Sequence, residues 1–205
     1  MKSLEIETPH GPARAHVRTA DDARAALLLG HGAGGGVNAP DLVAVAGVAL
    51  AEAVTVVLVE QPYRVAGRRS PPRAPQLDAA WIAVVEHLRA GDLGGLPLIA
   101  GGRSSGARVA CRTAEATGAI GVLCLAFPLR PPRKEGAEPA PSRLPELEAV
   151  TVPVLIVQGE RDPFGMPPEG LRRKVAVIRG DHGLKTDLPA AIAAVAAWLS
   201  GLLPR

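Results

Sequence analysis

The chain has 205 residues, 47% hydrophobic and 21% charged, which is the composition of one globular domain with a full core and not of a disordered chain. Aromatic residues make up only 2%, so there is no stacking platform for single-stranded nucleic acid. A formal charge of +3, carried by 19 Arg against 4 Lys, is too small for a nucleic-acid footprint, so no nucleic-acid partner is expected.

The N-terminal segment "MKSLEIETPHG" carries two acids and no apolar run of the signal-peptide kind. Near the other end, "AAIAAVAAWL" (190–199) is too short to span a bilayer. A cytoplasmic protein with no membrane partner is therefore expected. Cys111 and Cys124 lack C-x-x-C spacing and sit among apolar residues, which reads as buried, reduced thiols.

Two short β-prone runs, around Leu4–Glu7 and Ala15–Arg18, flank His10-Gly11-Pro12 and predict an antiparallel hairpin. Apolar runs at 26–31, 54–60, 97–102, 119–127, 152–160 and 174–180 follow, and they barely alternate polar with apolar. Strands of a parallel sheet, covered on both faces, read this way. Between them, Leu77, Trp81, Val84 and Leu88 recur at helical spacing, as do Leu188, Ile192, Val195, Leu199 and Leu202. Trp81 and Trp198 are read as core anchors. The expected fold is a three-layer αβα domain over residues 1–205, mostly parallel, with an antiparallel hairpin at its start and no cap domain.

The first strand runs into "LLLGHGAGGG" (27–36), where Gly30, Gly32 and Gly35 satisfy G-x-G-x-x-G. Such a loop holds either a pyrophosphate or the charge that develops on a carbonyl oxygen. A dinucleotide loop needs its helix to begin within the glycines, whereas here Val37-Asn38-Ala39 intervene before Pro40 and Asp41 open a helix. Glu60, the strand-end acid suited to a ribose, comes late, so the loop is read as serving an oxyanion.

Residues 99–110, "IAGGRSSGARVA", place Gly102-Arg103-Ser104-Ser105-Gly106 between a strand and a helix. G-x-S-x-G in that position puts a serine on a sharp turn, with the glycines two residues either side leaving room for the chain to close. The structural alternative is a Gly/Ser turn with Ser104 as an N-cap. A serine hydroxyl needs a base to take its proton, and the base needs an acid to orient it. Asp162, in "VLIVQGERDPFG", and His182, in "VAVIRGDHGL", follow later strands in that order. Of the other histidines, His10 and His16 belong to the hairpin, His87 to a sheet-packing helix and His31 to the glycine loop.

Two Pro- and Arg-rich stretches, 61–75 and 128–145, directly follow strands and are expected to border the site. Arg64, Arg68, Arg69 and Arg73 lie in the first, and Arg103 adjoins Ser104. They are read as a candidate cationic rim for acidic substrates, or else as arginines pinning a long loop through backbone carbonyls.

Taken together, "GHGAGGG", "GGRSSGAR", "GERDPFG" and "GDHGL" resemble the α/β-hydrolase superfamily. The resemblance is to its small, cap-less dienelactone-hydrolase-like members, including bacterial relatives of testis-expressed and chromatin-complex-subunit hydrolase domains. "QPYRVAGRRSPP" (61–72) matches a further segment of that group. The resemblance implies Ser104 as nucleophile, His182 as general base and acid, and Asp162 as the residue orienting His182. It also implies an oxyanion hole made by the N–H groups of Ala33 and Ser105. Ala107 stands where many relatives have glycine. The expected function is hydrolysis of esters, thioesters or lactones, with a small acyl compound as partner and neither metal nor organic cofactor. A catalytically inactive fold that acts by binding a partner is the alternative.

Overall fold

The computed structural model describes residues 2–131, 138 and 140–203. An N-terminal hairpin, β1 (Lys2–Ile6) and β2 (Ala13–Arg18), leads into β3 (Ala25–Gly30), helix α1 (Pro40–Ala51) and β4 (Val54–Glu60). Next come α2 (Pro62–Val65), α3 (Ala74–Ala90), β5 (Leu98–Arg103), α4 (Ser105–Thr113) and β6 (Gly121–Leu125). The order ends with α5 (Leu144–Glu148), β7 (Val154–Gly159), β8 (Arg173–Ile178) and α6 (Leu188–Leu202). From β3 to β7 helices separate successive strands as the apolar runs predict, whereas β7 passes to β8 without a helix among the described residues.

All eight strands join one sheet in the order β1-β2-β4-β3-β5-β6-β7-β8. β2 pairs antiparallel with both β1 and β4, and the pairs from β4 to β8 are parallel. Because successive side chains point to opposite faces, Leu27 and Leu29 pack beneath α1 and α6, while Leu28 packs beneath α3 and α4. Every residue of β3 is buried, which explains an apolar run without alternation. Burying a leucine fully stabilises the fold by about 1.5–3 kcal/mol, so β3 anchors both layers. β8, at the sheet edge, is only partly covered, and Val177 is 55% exposed.

The predicted helical stripe of Leu77, Trp81, Val84 and Leu88 is buried on α3. On α6, Val195 and Leu199 are buried, but Trp198 is only half-buried. It lies along the flank of the sheet, where a side chain at Gly121 would collide with it and with Leu202. The stretch 61–75 holds the four-residue helix α2, which is too short for periodicity to reveal. In the stretch 128–145, residues 132–137 and 139 lie outside the described residues. Its two ends are pinned together, with the Arg143 N–H donating to the Leu129 carbonyl and its guanidinium to the Pro128 carbonyl.

Cys111 on α4 and Cys124 on β6 are both buried and unbridged, their sulfurs 3.5 Å apart. No helix among the described residues is long and apolar enough to cross a membrane.

Candidate active site

At the end of β5 the chain turns sharply into α4, with Ser104 at φ 53°, ψ −108°. The turn closes only because its neighbours lack side chains. A Cβ on Gly102 would lie 2.7 Å from the Gly30 carbonyl oxygen, and one on Gly106 would strike the same oxygen. The structural alternative for Ser104, a helix cap, is not what its side chain does. No side-chain cap bond forms, and Oγ lies 2.9 Å from Nε2 of His182.

Two loops from the far side of the sheet meet that hydroxyl. Asp162 follows β7 and His182 follows β8, with Nδ1 of His182 2.8 Å from Oδ2 of Asp162. A carboxylate can only accept, so Nδ1 carries the proton and Nε2 is left to accept from Ser104. Asp162 is itself held in place. Its Oδ1 accepts from the Phe164 N–H at 2.9 Å and its Oδ2 from Gln158 Nε2 at 2.8 Å. The Phe164 ring lies 4.3 Å from the imidazole, centroid to centroid. The carboxylate is 1% exposed and the imidazole 18%. This hydrogen-bonded chain is partly open to solvent at the serine end.

Gln158 and Phe164 escaped the sequence reading. The one available signal for Gln158 was an amide inside the otherwise apolar β7. Gly159, next along β7, admits the histidine loop, since a Cβ there would come within 2.8 Å of the Asp181 carbonyl carbon.

Opposite these loops lies the glycine loop after β3. His31 is 3% exposed. Its Nδ1 lies 2.8 Å from the Gly32 carbonyl, and its Nε2 accepts the Gln61 N–H at 3.1 Å. Burial therefore pushes its pKa below the ordinary 6.5, partly offset by the hydrogen bond to Gly32. Tyr63 donates its hydroxyl to the Ala33 carbonyl at 2.9 Å, and burial pushes its pKa up to about 12. Among the described residues, the Ala33 and Ser105 N–H groups donate to no protein acceptor, while the Ser104 N–H is spent on the Leu125 carbonyl.

The arginines of the expected rim separate. Arg103 is not a free cation. Its Nε lies 2.9 Å from Asp41 Oδ2, and its Nη2 donates to the His182 carbonyl at 2.9 Å. Arg64 donates to the Arg68 carbonyl and so closes its own loop, the pinning role weighed as the alternative. Arg68, Arg69 and Arg73 are exposed. Arg68 lines a cavity of about 420 Å³ with His10, Gln61 and Tyr63, away from Ser104. Another concavity, of about 430 Å³, lies between α5 and β8 and also excludes the serine. Hydrogen-bond geometry, not cavity size, therefore locates the site. Among the described residues no group of three or more His, Cys, Asp or Glu is placed to hold a metal ion.

This architecture has relatives. Residues 23–187 match the family described as the alpha/beta hydrolase domain. The chain belongs to the alpha/beta hydrolase family. Among solved structures, this α/β hydrolase is similar to XC6422 from Xanthomonas campestris, described as a serine hydrolase without lid. The TM-score is 0.78 at 18% identity, over 100% of this chain and 95% of that one. It is similar to Est1E from Butyrivibrio proteoclasticus at TM-score 0.79 and 15% identity, with both chains fully covered. A dienelactone hydrolase from Anabaena variabilis gives TM-score 0.72 at 17% identity, over 98% and 94% of the two chains. No curated protein sequence matches the chain. The mostly parallel sheet, the antiparallel N-terminal hairpin and the likeness to the lid-less XC6422 agree with the fold expected from sequence.

Proposed function

We propose that this α/β hydrolase is a serine hydrolase that cleaves carboxylic esters, thioesters or lactones through an acyl-enzyme on Ser104. The observation that carries this reading is the continuous chain from Ser104 Oγ to His182 at 2.9 Å and from His182 to Asp162 at 2.8 Å. Ser104 Oγ bonds to the acyl carbon while His182 Nε2 takes its proton, and the carbonyl π pair moves onto oxygen. Asp162 holds the imidazole in the tautomer that can accept, and stabilises the imidazolium once formed.

The Ala33 and Ser105 N–H groups receive the oxyanion, a contribution of roughly 100- to 1000-fold for each donor. As the tetrahedral intermediate collapses, the bond to the leaving oxygen or sulfur breaks and His182 returns its proton to that atom. Water, deprotonated by His182, then attacks the acyl carbon, and Ser104 leaves with the proton. None of these steps calls on a metal or organic cofactor. The partner is a small acyl compound, and the setting proposed is the cytoplasm.

A fluorophosphonate probe should label the protein once, and peptide mapping should place the label on Ser104. Ser104→Ala should abolish labelling and lower kcat for p-nitrophenyl acetate by about 10³-fold or more, with the circular dichroism spectrum unchanged. Near-normal turnover in that variant would remove Ser104 from the chemistry. A wild-type protein that neither labels nor hydrolyses would favour the binding-module reading instead.

A further inference from the structure

Arg103 ends β5 one residue before the nucleophile, yet its side chain turns away from bulk solvent. The guanidinium meets three different segments. Nε lies 2.9 Å from Oδ2 of Asp41 on α1, and Nη2 donates to the backbone carbonyl of His182 at 2.9 Å. Nη1 lies against the glycine loop, where a Cβ on Gly32 would come within 2.9 Å of it. Asp41 is 1% exposed. Burial pushes its carboxyl up from the ordinary range and the Arg103 charge pulls it back. Its Oδ1 accepts the Leu42 N–H at 3.0 Å in the first turn of α1, which leaves Oδ2 facing the cation.

The sheet cannot perform this task alone. The glycine loop leaves β3 and the histidine loop leaves β8, four strand spacings apart in the sheet order, or about 19 Å at roughly 4.8 Å per strand. Both loops must nevertheless meet over β5 to within hydrogen-bond tolerance. Register between strands fixes where each loop begins, not where it arrives.

We propose that Arg103 is a positioning residue whose one guanidinium sets the glycine loop and the histidine loop against Ser104. This rests on the reading of Ser104 as the nucleophile. A planar fork can at once donate to the His182 carbonyl, face the Asp41 carboxylate as an ion pair and lay Nη1 against Gly32, which the point charge of an ammonium cannot. Asp41 has a second effect. It neutralises the fork, so the clamp does not oppose the positive charge that His182 acquires during the reaction.

The test compares wild type, Arg103→Met and Arg103→Lys on p-nitrophenyl acetate and on the anionic p-nitrophenyl hemisuccinate. Fluorophosphonate labelling rate and thermal melts are recorded alongside. Arg103→Met should lower kcat on both esters by roughly 10- to 100-fold, the scale of a misplaced catalytic group. KM should stay within about twofold. Methylguanidinium in the assay should restore part of the lost kcat, and Arg103→Lys should recover only a fraction of it. A kcat within about twofold of wild type, with labelling of Ser104 as fast, would overturn this proposal while leaving Ser104 as nucleophile. So would a KM that rises for the hemisuccinate alone, since that marks a substrate contact. If Arg103→Met does not fold, Asp41→Asn, which keeps the side-chain shape, should still lower kcat severalfold at constant KM, and an unchanged kcat there is equally fatal. A wild type that fails to label at Ser104 sinks the nucleophile reading first, and this proposal with it.

Discussion

Ser104, Ala126 and Leu184 are non-glycine residues held at φ 53°, 51° and 48°, and each follows closely on a site loop or strand end. Such conformations cost about 1–3 kcal/mol each and persist only where surrounding contacts over-determine them. Here the Ser104 N–H is held by Leu125 and the Ala126 N–H by Val157, so the strain is tied down by neighbouring strands. Gly106 is the counterpart that makes the serine turn possible, because only hydrogen fits beneath the Gly30 carbonyl. Gly106→Ala should therefore force α4 away from β3 and destabilise the fold by about 1–3 kcal/mol. Equilibrium urea unfolding, with the midpoint shifted at constant slope, is the measurement that checks it.

Between elements, His31 fastens the end of β3 to the residue that opens α2, since its ring accepts the Gln61 N–H. Gln61 in turn donates its side-chain amide to the Leu77 carbonyl on α3. The link works only with a neutral imidazole, and burial holds the folded-state pKa below the unfolded 6.5. Below 6.5 the unfolded chain binds more protons than the folded one. The contribution is thus complete above 6.5 and is lost as pH falls through the depressed folded value. His31→Gln, a side chain that does not titrate, should melt at a lower temperature than wild type at pH 8. It should also show a smaller decline in melting temperature between pH 6.5 and 5. Parallel slopes for the two proteins would contradict the assignment.

At the scale of the whole molecule, three helices on one face are tied by charge. Arg112 of α4 reaches Asp78 of α3 at 2.6 Å and Glu146 of α5 at 3.4 Å, and Arg108 shares Glu146. These side chains are about four-fifths buried, so solvent screens them only partly. Arg112→Met should cost about 1.5–3 kcal/mol, the range for hydrogen bonds to charged groups in such settings. It lowers the melting temperature and leaves kcat at 25 °C unchanged, because the Arg112 side chain bonds only to Asp78 and Glu146 and not to Ser104 or His182. A loss of kcat without a loss of stability would show that the helices on this face also steer the nucleophile.

Local patterns that a side chain satisfies within its own element were legible in the sequence. The apolar runs named β3 to β7 because buried parallel strands show no alternation, and the glycines of G-x-S-x-G marked a turn whose geometry excludes side chains. Loop order placed Ser104, Asp162 and His182 at three strand ends before any contact was known. Partnership across the fold was not legible. Arg103 reads in sequence as one more cation in an arginine-rich chain, and only the convergence of the loops after β3 and β8 gives it Asp41 and the His182 carbonyl. Helix α2, the partial exposure of Trp198 and the grip of Gln158 on Asp162 belong to the same class. Sequence periodicity records which face an element buries, whereas a polar side chain's partner depends on where distant backbone arrives, and that is decided by tertiary packing.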